Sequence, residues 1–119
     1  MEVSIEWLAG FFDGEGCFWL GSQVKKSTGK RYPACRVIIG QSGENGKEVL
    51  EAIQTKHGGE LYQHLAPGQH KATKSAYKLY WNAEEALALI NTLLPHLLLK
   101  REEAMEVKEY LERKKDGKK

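Results

Sequence analysis

The sequence predicts an α+β domain, a four-stranded antiparallel sheet with helices packed on one face. Three observations predict it. Apolar residues recur at three- and four-residue spacing in some segments and alternate in others, in the order helix, two strands, helix, two strands, two helices. Glycine, proline and polar clusters punctuate the changes of period. The chain has 119 residues, 41% of them hydrophobic, which suits one domain spanning 1–119 with a modest core.

Residues 4–13 read as a short helix and residues 16–24 as a strand. A polar turn, Lys25-Lys26-Ser27-Thr28-Gly29-Lys30-Arg31, joins it to a second strand at 32–41. There Cys35, Val37 and Ile39 share one face, and Tyr32, Ala34 and Arg36 the other. Asn45 and Glu48 have capping-box spacing and predict a helix that Gly58-Gly59 stops. A third strand is expected at 59–64. The loop Leu65 to Thr73, with Pro67-Gly68 inside it, leads to a fourth strand at 74–81, where Tyr77, Leu79 and Trp81 alternate against Lys74, Lys78 and Tyr80. Asn82 and Glu85 form a second capping-box pattern before a helix at 83–93. Pro95 breaks that helix, and a last one is expected from about 96 to 114, with a charged, frayed tail from about 115. The two halves look alike as αββ units, without a repeat of fixed period.

The net charge is only +2, and this average conceals a segregation. From Cys17 to Gly43 there is no Asp or Glu, while Lys25, Lys26, Lys30, Arg31 and Arg36 fall inside. From Leu61 to Asn82 there is again no acid, with Lys71, Lys74, Lys78, His64 and His70. These windows carry 8 of the 18 cations; the other 10 face all 16 acids elsewhere, a balance of −6. Two basic windows, each in a strand–turn–strand segment, predict a polyanion-binding surface on the open face of the sheet.

Other classes are disfavoured. Cys17 and Cys35 form neither a disulfide framework nor a CxxC zinc pattern, and read as reduced, half-buried thiols. The start of the chain shows no signal-peptide pattern, and the longest apolar run, Ala86 to Leu99, is short and interrupted by Asn91, Pro95 and His96. An intracellular protein without membrane contact is expected.

The first helix has two stripes. Ile5, Leu8 and Phe12 can face the sheet, while Val3, Trp7, Gly10 and Gly14 form a seam. Each glycine costs about 1 kcal/mol of helix propensity relative to Ala. Either the glycines end the helix, or they admit a second helix at close range. Asp13 and Glu15 lie at the helix C-terminus, where the dipole disfavours a carboxylate. Two helices packed on the seam would bring two Glu15 carboxylates together as hard oxygen ligands for Mg²⁺ or Mn²⁺.

The run Leu8-Ala9-Gly10-Phe11-Phe12-Asp13-Gly14-Glu15-Gly16 resembles the LAGLIDADG motif of the homing endonucleases. The first three residues match, aromatics replace two aliphatics, and the acid positions are kept, with Glu for Asp at position 15. The αββαββαα order extends the resemblance over nearly the whole chain. The resemblance implies an intron-encoded type of endonuclease that hydrolyses phosphodiester bonds in double-stranded DNA. With a single motif, it also implies a homodimer on a near-palindromic site of roughly 20 base pairs. It places Glu15 and the carbonyl of Gly14 at catalytic Mg²⁺, with Mn²⁺ as a substitute. The interface falls on Trp7, Gly10, Asp13 and Gly14, with Asp13 mainly structural. Gln41, ending Val37-x-Ile39-x-Gln41, corresponds to a residue that positions water. Lys100, after Leu94-Pro95, corresponds to a lysine beside the scissile phosphate, although a cation early in a helix is locally unfavourable. Lys47 or Asn45 are further candidates near the site.

With the sheet in the major groove, the outward positions are Trp19, Gly21, Gln23 and Lys25, then Tyr32, Ala34, Arg36 and Ile38. Tyr62 and His64 follow, and then Lys74, Ala76, Lys78 and Tyr80. Arg36 and Gln23 suit base edges, while Lys26, Lys30 and Arg31 at the hairpin tip suit phosphates. Rival readings of the same fold are a maturase binding intron RNA and an inactive DNA-binding regulator. A generic interaction domain would leave the motif and the two basic windows unexplained.

Overall fold

The computed structural model describes residues 2–69 and 74–117. His70, Lys71 and Thr73 of the expected loop lie outside the described residues. The elements are α1 (Ile5–Glu15), β1 (Gly16–Val24), β2 (Arg31–Ser42), α2 (Gly43–His57), β3 (Glu60–Leu65), β4 (Ala76–Trp81), α3 (Ala83–Leu93), a 3-10 turn at Leu94–His96, and α4 (Arg101–Asp116). The strands form one sheet in the order β1-β2-β4-β3, every neighbouring pair antiparallel. The predicted αββαββαα order is the observed one.

Local chemistry explains the boundaries. Ser4 caps α1 by accepting the Trp7 N–H at 3.1 Å. Gly16 ends α1 and starts β1 without a linker; a Cβ there would run into the Phe12 ring. Neither expected capping box forms. The second helix begins at Gly43 rather than Asn45, with Ser42 as its N-cap and no side-chain cap bond. Gly43, at φ +77°, makes the sharp entry, and its N–H donates to the Ser75 carbonyl at 2.8 Å. At α3, Asn82 holds the N-cap position without a side-chain bond, and Glu85 instead accepts the Gly59 N–H at 3.2 Å.

Two other boundaries move. The last helix starts at Arg101, not 96, because the 3-10 turn Leu94–His96 and a bend at residues 98–100 come first, and it continues to Asp116. The fourth strand starts at Ala76, so Lys74 precedes it. Lys74 is exposed, with its Cδ 3.4 Å from where a Cβ on Gly43 would lie.

The helices cover the sheet face bearing Phe18, Val37, Ile39, Tyr77, Leu79 and Trp81. Phe12, 0% exposed, stands at the centre of the core, its ring 5.2 Å from Phe18 and 5.6 Å from Trp81. Leu8, Leu50, Ile53, Ile90, Leu93 and Leu97 complete the packing around it. Val3, expected on the exposed seam of α1, is buried in this core instead. The reason is geometric: it precedes the helix, so the helical stripe does not carry it outward. Cys35 is half-buried as expected, but Cys17 is exposed. Among the described residues, no helix is long and apolar enough to cross a membrane.

Phe12→Ala should destabilise the chain by about 3–5 kcal/mol in urea unfolding, the cost of an aromatic cavity. A pH dependence should arise at His57, the last residue of α2. Its Nε2 is buried without a hydrogen-bond partner among the described residues. Burial, and secondarily Lys56, push its pKa below the ordinary histidine value. The unfolded chain therefore binds the proton more readily, and stability should fall as pH drops through about 6.5. Urea midpoints measured from pH 8 to 5 should show a shallower acid slope in His57→Gln.

Candidate functional site

The C-terminal end of α1 is the best-supplied corner of the molecule. The Asp13 carboxylate accepts three backbone N–H groups: Leu98 at 2.8 Å, Leu99 at 3.1 Å and Lys100 at 3.0 Å. It thereby ties down the bend that leads into α4 from a distant segment. In return, the Lys100 ammonium donates to the Phe12 carbonyl at 3.2 Å and to the Gly16 carbonyl. The sequence places Lys100 where a helix dipole disfavours a cation. In the structure it is the N-cap of α4, and its ammonium lies against the last carbonyls of α1, the negative end of that helix.

Glu15 and Gly14 are exposed at the same end of α1. Gly16 pairs with Ile39, so Gln41 lies two residues past the first β1–β2 pair, at this end of the sheet. It stands opposite Tyr77 on the helix-covered side, and a Cβ added to Gly46 would come within 2.8 Å of the Gln41 Cβ. The glycine of α2 thus lets Gln41 fit at the sheet end. The Lys47 ammonium lies 5.6 Å from the centre of the Tyr77 ring, facing that ring. Asn45 is exposed in the first turn of α2.

The donor set at this corner can be weighed against a divalent cation. Among the described residues no group of three His, Cys, Asp or Glu side chains could hold a metal ion. Asp13 is committed to backbone amides. The Glu15 carboxylate is left exposed beside Gly14, and a carboxylate with a backbone carbonyl is an oxygen donor set of the kind that suits Mg²⁺ or a similar cation.

The open face of the sheet carries the outward residues expected of it. Cross-strand pairing sets Trp19 beside Arg36, Gln23 beside Tyr32, Ile38 beside Tyr80 and Lys78 beside Tyr62. The Arg36 guanidinium lies 5.1 Å from the centre of the Trp19 ring. The Trp19 ring in turn lies over Gly21, filling the space a Cβ would need. The Tyr32 hydroxyl donates to Gln23 Oε1 at 3.0 Å, and Arg31 donates to the Ser22 hydroxyl at 3.2 Å. Tyr62 makes edge contacts with Tyr80 and His64, whose ring centres are 5.6 and 6.4 Å away. Lys25, Lys26 and Lys30 are exposed at the β1–β2 turn. Of the residues expected at outward strand positions, Lys25 and Lys74 fall outside the strands.

The sequence reading missed two features. Glu60 stands on the same open face, paired with Tyr80, whose hydroxyl donates to its carboxylate. That bond, ahead of burial and the neighbouring charge, raises the Tyr80 pKa above the ordinary phenol value and keeps the hydroxyl protonated. The signal was available, since Glu60 is the residue just before the second acid-free window and alternates with Tyr62. The second feature is apolar. Trp7 is 47% exposed, Leu98 85% and Leu99 77%. They lie along and just beyond the exposed stripe of α1, where a Cβ on Gly10 or Gly14 would meet nothing within 4 Å. The two leucines after Pro95 carried that signal.

A family model, LAGLIDADG endonuclease, matches residues 8–108. The chain belongs to the LAGLIDADG endonuclease family. Solved homing endonucleases of the family share its fold. I-TnaI superposes with a TM-score of 0.76 at 22% identity, over 98% of this chain and 77% of that one. The LAGLIDADG meganuclease I-CpaMI, bound to uncleaved DNA, gives 0.77 at 23% identity, over 98% of this chain and 38% of that one. I-CvuI, in complex with its target in the presence of calcium, gives 0.71 at 24% identity, over 91% of this chain. This LAGLIDADG chain spans only 65% of the I-CvuI length. No curated protein matches the chain.

Asp13→Asn keeps one acceptor but turns an amide toward N–H donors. It should cost about 1–3 kcal/mol in urea unfolding, the range for hydrogen bonds to a charged group and for donors left unpaired. Glu15→Gln, two residues further on, exposed and outside that network, should leave the unfolding midpoint nearly unchanged.

Proposed function

We propose that this LAGLIDADG-family chain is a sequence-specific double-stranded DNA endonuclease, acting as a homodimer with a divalent cation, Mg²⁺ or in substitution Mn²⁺. One observation carries the reading: the basic, aromatic open face of the sheet ends at the corner that holds Glu15, Gln41 and Lys100. A surface suited to a DNA groove thus leads directly to groups suited to phosphodiester hydrolysis.

The exposed stripe of α1, with Trp7, Gly10 and Gly14 beside Leu98 and Leu99, supports dimerisation. Large exposed apolar groups gathered at one place favour burial, and the glycines allow close approach of a second helix. Packing two copies there brings two Glu15 carboxylates toward a common axis and completes the oxygen set that one chain lacks.

The chain's own residues divide the work. Glu15 and the Gly14 carbonyl would hold the cation, which when bound supplies electrostatic stabilisation at the phosphate. Gln41 can orient a water molecule by accepting and donating hydrogen bonds at once. Lys100 has three donors, two of them spent on the Phe12 and Gly16 carbonyls, which leaves one for a phosphate oxygen. Arg31, Lys25, Lys26 and Lys30 hold the DNA backbone at the hairpin end, and Lys74 does so beyond the strands.

Plasmid libraries incubated with purified protein and Mg²⁺ should be cut on both strands at a small set of near-palindromic sites. Glu15→Gln should abolish cutting while retaining binding to those sites. Tight DNA or RNA binding with no cutting in Mg²⁺ or Mn²⁺ would overturn the endonuclease reading in favour of a binding protein of the same fold.

A further inference from the structure

The open face of the sheet is basic, yet it contains one carboxylate. Among the described residues that alternate onto this face, Glu60 is the only acid. Placing a negative charge where a polyphosphate must approach weakens binding to every sequence alike. A chain that uses this face for DNA gains from Glu60 only if the carboxylate distinguishes one base from another.

The geometry points to Glu60 and Tyr80 as a cytosine-selecting pair in the major groove, an inference that rests on the DNA-binding reading above. Glu60 starts β3 and is exposed, and its Oε2 accepts the Tyr80 hydroxyl. The other carboxylate oxygen is then left for a second donor. With its proton committed to Glu60, the Tyr80 oxygen can only accept as well. The pair therefore offers acceptors alone to whatever enters the groove.

The major-groove edges respond differently to such a pair. Guanine shows two acceptors and is repelled. Thymine shows an acceptor and a methyl group, and gains nothing. Adenine sets its N7 acceptor beside its amino donor, so one favourable contact is offset. Cytosine offers its amino group with no neighbouring acceptor, and satisfies the carboxylate. Glu60 also lines the same depression as Arg36, Ile38, Tyr62 and Tyr80. Arg36 is braced there on Trp19, and its donor fork matches guanine. Donor and acceptor readers stand at one place, which suits a G·C-rich step. Tyr80 is a positioning residue in this scheme, because its hydroxyl holds the carboxylate by a hydrogen bond while its ring packs against Tyr62.

The test is selection of bound sequences from a randomised double-stranded DNA library by the full chain, in calcium to prevent cutting, for the wild type, Glu60→Gln and Tyr80→Phe. Glutamine keeps the acceptor for Tyr80 but adds an amide donor, the arrangement that pairs with adenine. The wild type should enrich cytosine at one position in each half-site. E60Q should move that position to adenine, with discrimination changing on the order of tenfold to a hundredfold and the other positions unchanged. Y80F should keep cytosine but weaken its enrichment. A wild-type motif that E60Q leaves unaltered at every position overturns the inference while leaving the endonuclease reading in place. A wild-type chain that selects no DNA sequence overturns both.

Discussion

The molecule depends on a reciprocal tie between the end of α1 and the start of α4. The Asp13 carboxylate gathers three N–H groups of the bend before α4, and the Lys100 ammonium returns to two carbonyls around the end of α1. Each partner binds backbone groups beside the other helix's end, and each places its charge where the other helix's dipole favours it. The tie joins residues 13 and 100, far apart in the chain, so it also closes the helical layer over the core around Phe12. Its consequence for function is a division of labour between neighbouring acids. Asp13 is used up within the chain, and Glu15, two residues on, is left free at the surface.

That division explains why the corner looks incomplete in one chain. A single exposed carboxylate with a carbonyl beside it is a poor cation site, and the described residues offer no third ligand. The apolar stripe along α1 and the two leucines that Asp13 holds in place lie next to it. The exposed stripe and Glu15 are adjacent because one helix, α1, carries both. The sheet extends from this corner with an open face whose side chains are partly fixed in advance: Arg36 on Trp19, Gln23 on Tyr32, Glu60 on Tyr80. Such bracing lowers the entropy cost of ordering long side chains on a ligand.

Much of this was legible in the sequence, for physical reasons. Alternation over β1 and β2 identified the outward residues, because period two leaves no freedom once one face is buried. The motif run Leu8 to Gly16 identified the helix, its acids and the family. Tertiary relations were not legible. Val3 looked like part of a surface stripe until the chain entering α1 turned it inward. The two capping-box patterns were false, since Glu85 is drawn to the Gly59 amide and Ser42 precedes the true start of α2. Lys100 looked unfavourably placed because the helix whose dipole it serves is α1, not its own. Glu60 escaped notice because charge counting by windows stops at the window's edge, whereas a strand face does not.

We propose that the corner of Glu15, Gln41 and Lys100 becomes a working site only when two chains share one duplex. Native mass spectrometry of the protein on a DNA duplex it selects, in calcium, tests it most directly. The account predicts a complex of two chains and one duplex, with no stable species holding a single chain at comparable protein concentration. A complex of one chain per duplex that still cuts both strands when Mg²⁺ replaces calcium would contradict it.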